Sequence, residues 1–221
     1  MNAVYRRRLE MAARVRDFLR THQTDGVGQG LGLAKLEELI QRAEVLAGQQ
    51  RGGVAVTRSA SRQRHAVRRA LQSKLLAYLR VVGAVAGKVN ASLAQQFRMP
   101  PNNASQQALL TTGHKILELA TAQKEVLVGL GMREQVLGEL AAALGEFEQT
   151  LEATRAGRRE HVGASADLKA VLAEIAEQVR LLDGVVKYRF GDNAELMGAW
   201  ASARNVLGPF KPKAGDQPKA A

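Results

Sequence analysis

LQSKLLAYLRVVGAVAGKV (residues 71–89) and LKAVLAEIAEQVRLLDGVV (residues 168–186) decide the fold class. In the first stretch Leu71, Leu75, Tyr78, Val82, Val85 and Val89 recur at intervals of four and three. In the second, Leu168, Leu172, Ile175, Val179, Leu182 and Val186 do the same. That spacing lays one apolar seam along a helix and turns it toward a neighbouring helix. A strand would alternate at every second residue, and no stretch of the chain does so over a strand's length. Sliding the chain by 97 residues superimposes the two seams. The same shift sets Leu39, Ile40, Ala43 and Ala47 on Val136, Leu137, Leu140 and Leu144, and Leu19 on Ile116. One offset running through three helices predicts an all-α, antiparallel helical bundle of two pseudo-repeated three-helix units, each with a short trailing helix.

Breakers set the expected element limits. A first helix is expected over 2–22, followed by a Gly-rich loop, THQTDGVGQGLG (21–32). A second covers 33–50 and stops at Gly52-Gly53, a third covers 56–90, and a short one covers 92–98 before Pro100-Pro101. Asn102 or Asn103 is the expected cap of the next helix, which runs to about Leu127. After a turn at Gly129 and Gly131, a helix starts near Arg133 and reaches at least Leu151. A break near Gly157–Ser165 is expected by analogy with Gly52-Gly53, with a continuous helix as the alternative. The following helix ends at Phe190, and a last one spans 194–207. The resulting division is a basic unit, 1–100, a second unit packed with it, 101–207, and a disordered tail, 208–221.

Composition suits this plan. Apolar residues make up 46%, enough for a core, while aromatics are only 4%, so the core must be built from Ala, Leu and Val. The chain has no Cys, which excludes disulfides, thiolate metal sites and thiol catalysis. No apolar segment follows the early charges as in a secretory signal, and the longest apolar stretch, 75–87, contains Arg80 and is too short to span a bilayer. A cytoplasmic protein is expected.

Charge is distributed unevenly. Residues 1–100 carry 18 Lys/Arg against 6 Asp/Glu, whereas 101–221 carry 14 against 15. Between Glu44 and Glu118 there are 11 Lys/Arg and no carboxylate. Within that block Arg58, Arg62, His65 and Arg69 form one basic ridge on the helix face away from the seam. Together with Arg6, Arg7 and Arg14 of the first helix, these are the candidate contact residues. They predict a non-catalytic interaction or structural module that engages an acidic protein surface or self-associates. The alternative is a non-specific nucleic-acid-binding protein that neutralises phosphates with the Arg-rich face. The first helix is basic and amphipathic enough to lie on anionic lipid, but the same residues suit a bundle, so membrane-surface binding is not expected.

Motifs for chemistry are missing. No Glu-x-x-His occurs, and the four histidines fall in four different segments, so no metal or other cofactor is expected. Neither a phosphate-binding Gly-rich loop nor a nucleophile elbow occurs, so no small-molecule substrate or catalysis is expected. His65 and His161 both stand in Arg-rich stretches but miss each other by one position at the 97-residue offset. One residue is a rotation of about 100° on a helix, so the pair is not a duplicated site. AGRREHVGASADL (156–168) and YRFGDNAELMGAWASARNVLGPF (188–210) together resemble uncharacterised bacterial all-helical proteins. That resemblance covers the second half best and implies a helical fold without implying an activity. The aromatic residues of the second stretch predict the docking site of the last helix.

Overall fold

The computed structural model describes residues 3–22 and 27–208. It is all-α, with no strand among the described residues. The helices are α1 (Ala3–Thr21), α2 (Val27–Ala70), a π-helical segment (Leu71–Leu76) leading directly into α3 (Ala77–Ala86), α4 (Ala91–Gln96), α5 (Gln106–Ala122), α6 (Lys124–Gly129), α7 (Gln135–Phe190) and α8 (Ala194–Ala203). The tail expected to be disordered lies outside the described residues apart from Gly208.

The compact units are not the two sequence halves. One comprises Met1–Gly53 with Arg159–Ala221, the other Val54–Arg158. The expected division at residue 100 is therefore corrected. The physical reason is that α2 and α7 do not stop where glycines were expected to stop them. Gly52-Gly53 and Gly157–Ser165 are helical throughout. A mid-helix Gly is disfavoured by about 1 kcal/mol relative to Ala, which a long helix with a packed stripe outweighs. A glycine stops a helix firmly when it takes up a left-handed conformation, and among the described residues only Gly131 and Gly208 have positive φ. Gly131 does this work after α6: its own N–H donates to the Val128 carbonyl at 2.9 Å, and the Met132 N–H donates to the Leu127 carbonyl at 2.8 Å. The expected loop at 21–32 is also shorter, since α2 begins at Val27.

In the first unit α1, the start of α2, the end of α7 and α8 share one core. Val15, Leu19, Leu36, Ala43, Leu172, Ile175 and Trp200 are all fully buried there. The indole Nε1–H of Trp200 donates to Asp183 Oδ1 at 2.8 Å, and the Trp200 ring lies 5.2 Å from that of Phe18. The expected aromatic dock is thus Trp200, whereas Tyr188 is 92% exposed. In the second unit the end of α2, the π segment and α3 to α6 join the start of α7 around Leu71, Leu79, Phe97, Leu109, Ile116, Leu140 and Phe147. Ser105, not Asn102 or Asn103, caps α5: its Oγ accepts from the Ala108 N–H at 3.1 Å. A turn closed by the Ala104 N–H on the Pro101 carbonyl, at 2.9 Å, carries the chain past the asparagines before the helix starts.

The π segment changes the expected seam. Leu71 is buried, but the next buried positions are Leu76, Leu79, Val82 and Gly83, and Ala86. A continuous α-helix would have buried Leu75, Tyr78, Val82 and Val85, so the π turn has absorbed one extra residue and moved the buried face by one. Val85 and Val89, expected on the seam, are 41% and 76% exposed. The 97-residue offset therefore does not describe the packing. The burial patterns of the two long helices coincide instead at 104 residues, pairing Leu36 with Leu140, Ile40 with Leu144, Ala43 with Phe147, Ala60 with Ala164, Val67 with Val171 and Leu71 with Ile175. Beyond the π segment the offset is 103: Leu76 with Val179, Leu79 with Leu182, Gly83 with Val186, Phe97 with Trp200. In α1 and α5 it is 98, with Met11 on Leu109, Val15 on Gly113 and Phe18 on Ile116, and the 6 residues of α6 account for the step from 98 to 104.

Candidate basic interaction surface

Arg58, Arg62, His65 and Arg69 are all exposed on the last part of α2, within the second unit. Helical spacing sets them on one face because 4, 3 and 4 residues separate them. The opposite side of the same segment buries Ala60, Val67 and Leu71, so core packing fixes which way the arginines point. Ala55, Ser59, Ala66 and Ser73 share the exposed face. None of Arg58, Arg62 and Arg69 pairs with a carboxylate among the described residues.

Several acidic side chains of the second unit are engaged elsewhere. Glu146 accepts from the amide of Gln63 at 2.9 Å, and Glu148 faces His114 Nε2 at 3.0 Å. Glu134 pairs with Lys124 at 3.2 Å. In the first unit Glu177 binds Arg180 at 2.6 Å, and the hydrogen bond from Arg180 holds its carboxyl below the usual carboxylate value. Glu174 lies 4.0 Å from Arg42.

Two arginines beside the ridge hold the fold together, a role that helical spacing alone does not reveal. Arg68 Nη2 donates to the carbonyls of Asn102 and Ala104, at 3.1 and 2.6 Å, and so pins the segment that precedes α5. Arg64 Nη1 donates to Thr154 Oγ1 at 3.0 Å. Position could have signalled this: Arg64 and Arg68 are one turn apart and flank the ridge, on the border with the buried face. His65, Arg68, Arg69, Gln72, Ser73 and Asn102 line an open groove of about 420 Å³ that contains no carboxylate. Gln72 Nε2 is buried without a hydrogen-bond acceptor among the described residues.

The candidates on α1 belong to the first unit and divide in two. Arg6 and Arg7 are exposed. Arg14 is half-buried and its Nη2 donates to the Asn205 carbonyl at 2.6 Å, tying α1 to the chain after α8. Arg14 is therefore removed from the contact surface, since its packing against the core beside Val15 turns the guanidinium inward.

The histidines remain apart. His161 Nδ1 lies 3.3 Å from the Gln50 carbonyl, and the His22 ring is tilted against that of Phe18 with centres 4.7 Å apart. Among the described residues no three His, Asp or Glu side chains are grouped to hold a metal ion. No described helix is long and apolar enough to cross a membrane. Compared with known proteins, the chain matches no family, no curated protein and no solved structure.

Proposed function

We propose that this chain is a non-catalytic helical interaction module and that the ridge on α2 is the surface an acidic partner touches. One observation carries the reading: Arg58, Arg62 and Arg69 stand exposed in line on a single helix without a carboxylate partner among the described residues. A row of like charges repels itself, and an oppositely charged surface relieves that repulsion while steering the encounter. Exposed arginines contribute little to folding, so the ridge can be altered without loss of the fold.

The test is the double reversal Arg62→Glu, Arg69→Glu. Retention on an immobilised polyanion such as heparin or poly-glutamate should fall, with elution at clearly lower salt than for the unaltered chain. The helical circular dichroism and its melting midpoint should stay the same, since exposed substitutions shift stability by about 0.5 kcal/mol or less. Equal retention of the two proteins would overturn the proposal. Sedimentation over a range of concentrations tests the self-associating form, which requires the reversal to lower the mass of any oligomer.

A further inference from the structure

We infer that the partner of the ridge is the phosphate backbone of double-stranded nucleic acid, bound without regard to base sequence. The inference rests on the preceding reading that this face is the contact surface, and it names the partner.

What stands between the arginines decides against a folded protein. Ala55, Ser59, Ala66 and Ser73 are the other exposed residues of the face. A protein interface draws most of its affinity from buried aromatic or large apolar anchors at its centre. This face offers none. Small side chains between cations instead let a charged backbone come close to the helix.

Spacing and length fit the same ligand. At 1.5 Å per residue, Arg58 and Arg62 are separated by about 6 Å and Arg58 and Arg69 by about 16 Å along the helix. Duplex DNA presents one negative charge for about every 1.7 Å of its axis, so a row of this length meets several phosphates in any register.

Single strands are disfavoured by the aromatic inventory. Sequence-tolerant binding of unpaired bases relies on aromatic platforms. The second unit has only Tyr78, Phe97 and Phe147. Phe97 and Phe147 are buried. Tyr78 is half-buried with the Arg133 guanidinium over its ring at 5.7 Å, and its hydroxyl donates to the Gly131 carbonyl at 3.3 Å and accepts from the Arg133 N–H at 3.2 Å.

The ridge ends in the groove that His65, Arg69, Ser73 and Asn102 help to line. Arg68 holds one wall of it through the Asn102 carbonyl. This groove is the seat for one phosphate group, with Arg69 supplying the charge and the Gln72 amide, buried without an acceptor among the described residues, a neutral donor. Contacts of this kind fix position on a duplex and carry no sequence information.

The experiment is fluorescence anisotropy with the full chain across a series of salt concentrations. Three probes are compared: a mixed-sequence DNA duplex of about two helical turns, one of its strands alone, and poly-glutamate. The duplex should bind most tightly, with log K falling against log salt at a slope near −3 for about three phosphate contacts. Reversal of Arg62 and Arg69 should reduce that slope by about 2. Lys115→Glu, an exposed reversal on α5, should leave the slope unchanged. Scrambling the duplex sequence should leave the affinity unchanged. The single strand binding as tightly as the duplex would overturn the inference, as would the reversal leaving the duplex slope intact. Poly-glutamate binding through the ridge in the absence of duplex binding would overturn it too, while the acidic-partner reading stands. Binding of no polyanion would overturn both.

Discussion

Trp200 in one unit and Phe97 in the other each lie on or just after the short helix that follows a long one. Both are fully buried, yet they are held differently. Trp200 anchors through a hydrogen bond to Asp183, itself linked to Lys187 at 2.7 Å and facing Arg204 at 3.6 Å. Phe97 has no polar handle and fits because Gly83 opposes it: a Cβ at Gly83 would lie 2.6 Å from the Phe97 ring. The same closure is thus achieved once by a polar network and once by removing a side chain. Equal burial therefore does not imply equal chemistry, and the two units should respond differently to pH and to small added volume.

The largest expected effect comes from deleting single residues in the two long helices. The π segment already holds one residue more than an α-helix would. Removal of exposed Ser73 should convert it to α-helix with the downstream face retained, changing stability by no more than about 1 kcal/mol. Removal of exposed Ala173 from α7, which has no such surplus, should rotate everything on one side by about 100° and lose the first unit's core. Urea titration followed by circular dichroism measures both, and comparable losses would show that the π segment holds no surplus residue.

Next in size are Trp200→Ala and Phe97→Ala. Each should cost about 3–5 kcal/mol through lost burial and the cavity left behind. Trp200→Ala should be the more damaging, since it also removes a donor from the half-buried Asp183 carboxylate. Denaturant midpoints compare them directly.

The smallest effect is in acid. Burial alone would raise the Asp183 carboxyl, but hydrogen bonds from Lys187 and Trp200 and the nearby Arg204 and Lys187 charges outweigh it and hold it below the ordinary value. A depressed carboxyl stabilises the fold above its unfolded value, about 3.9, and that stability is lost as pH falls through the lower folded value. Asp183→Asn should therefore be less stable than the unaltered chain at neutral pH, and the gap should close below about pH 4. No equivalent acid step is expected from Phe97→Leu, because a phenyl ring donates no hydrogen bond to a carboxylate.

Much of this architecture was legible in the chain. The seam of residues 168–186 read as a buried stripe is buried along its whole length, because α7 keeps regular α-helical geometry there and the four-three spacing stays on one face. The ridge of Arg58, Arg62, His65 and Arg69 was legible for the complementary reason: a helix with one face buried presents its other face to solvent. The matching seam of residues 71–89 departs from its spacing after Leu71 except at Val82, since a π turn leaves no mark in a spacing pattern that assumes uniform helix geometry. Arg14 resembled the other arginines of α1 in sequence. Its removal from the surface depended on the Asn205 carbonyl, which lies far along the chain.

The amino-acid sequence by itself determined the helical class, the apolar stripes and the carboxylate-free basic block, because each follows from the period of the helix and the charges on the side chains. Tertiary structure alone decided which helices run unbroken through their glycines, how the chain divides into compact units and which arginines are spent on the fold. Those outcomes depend on burial and hydrogen bonds between residues far apart in the chain, which local propensities of about 1 kcal/mol are too small to dictate.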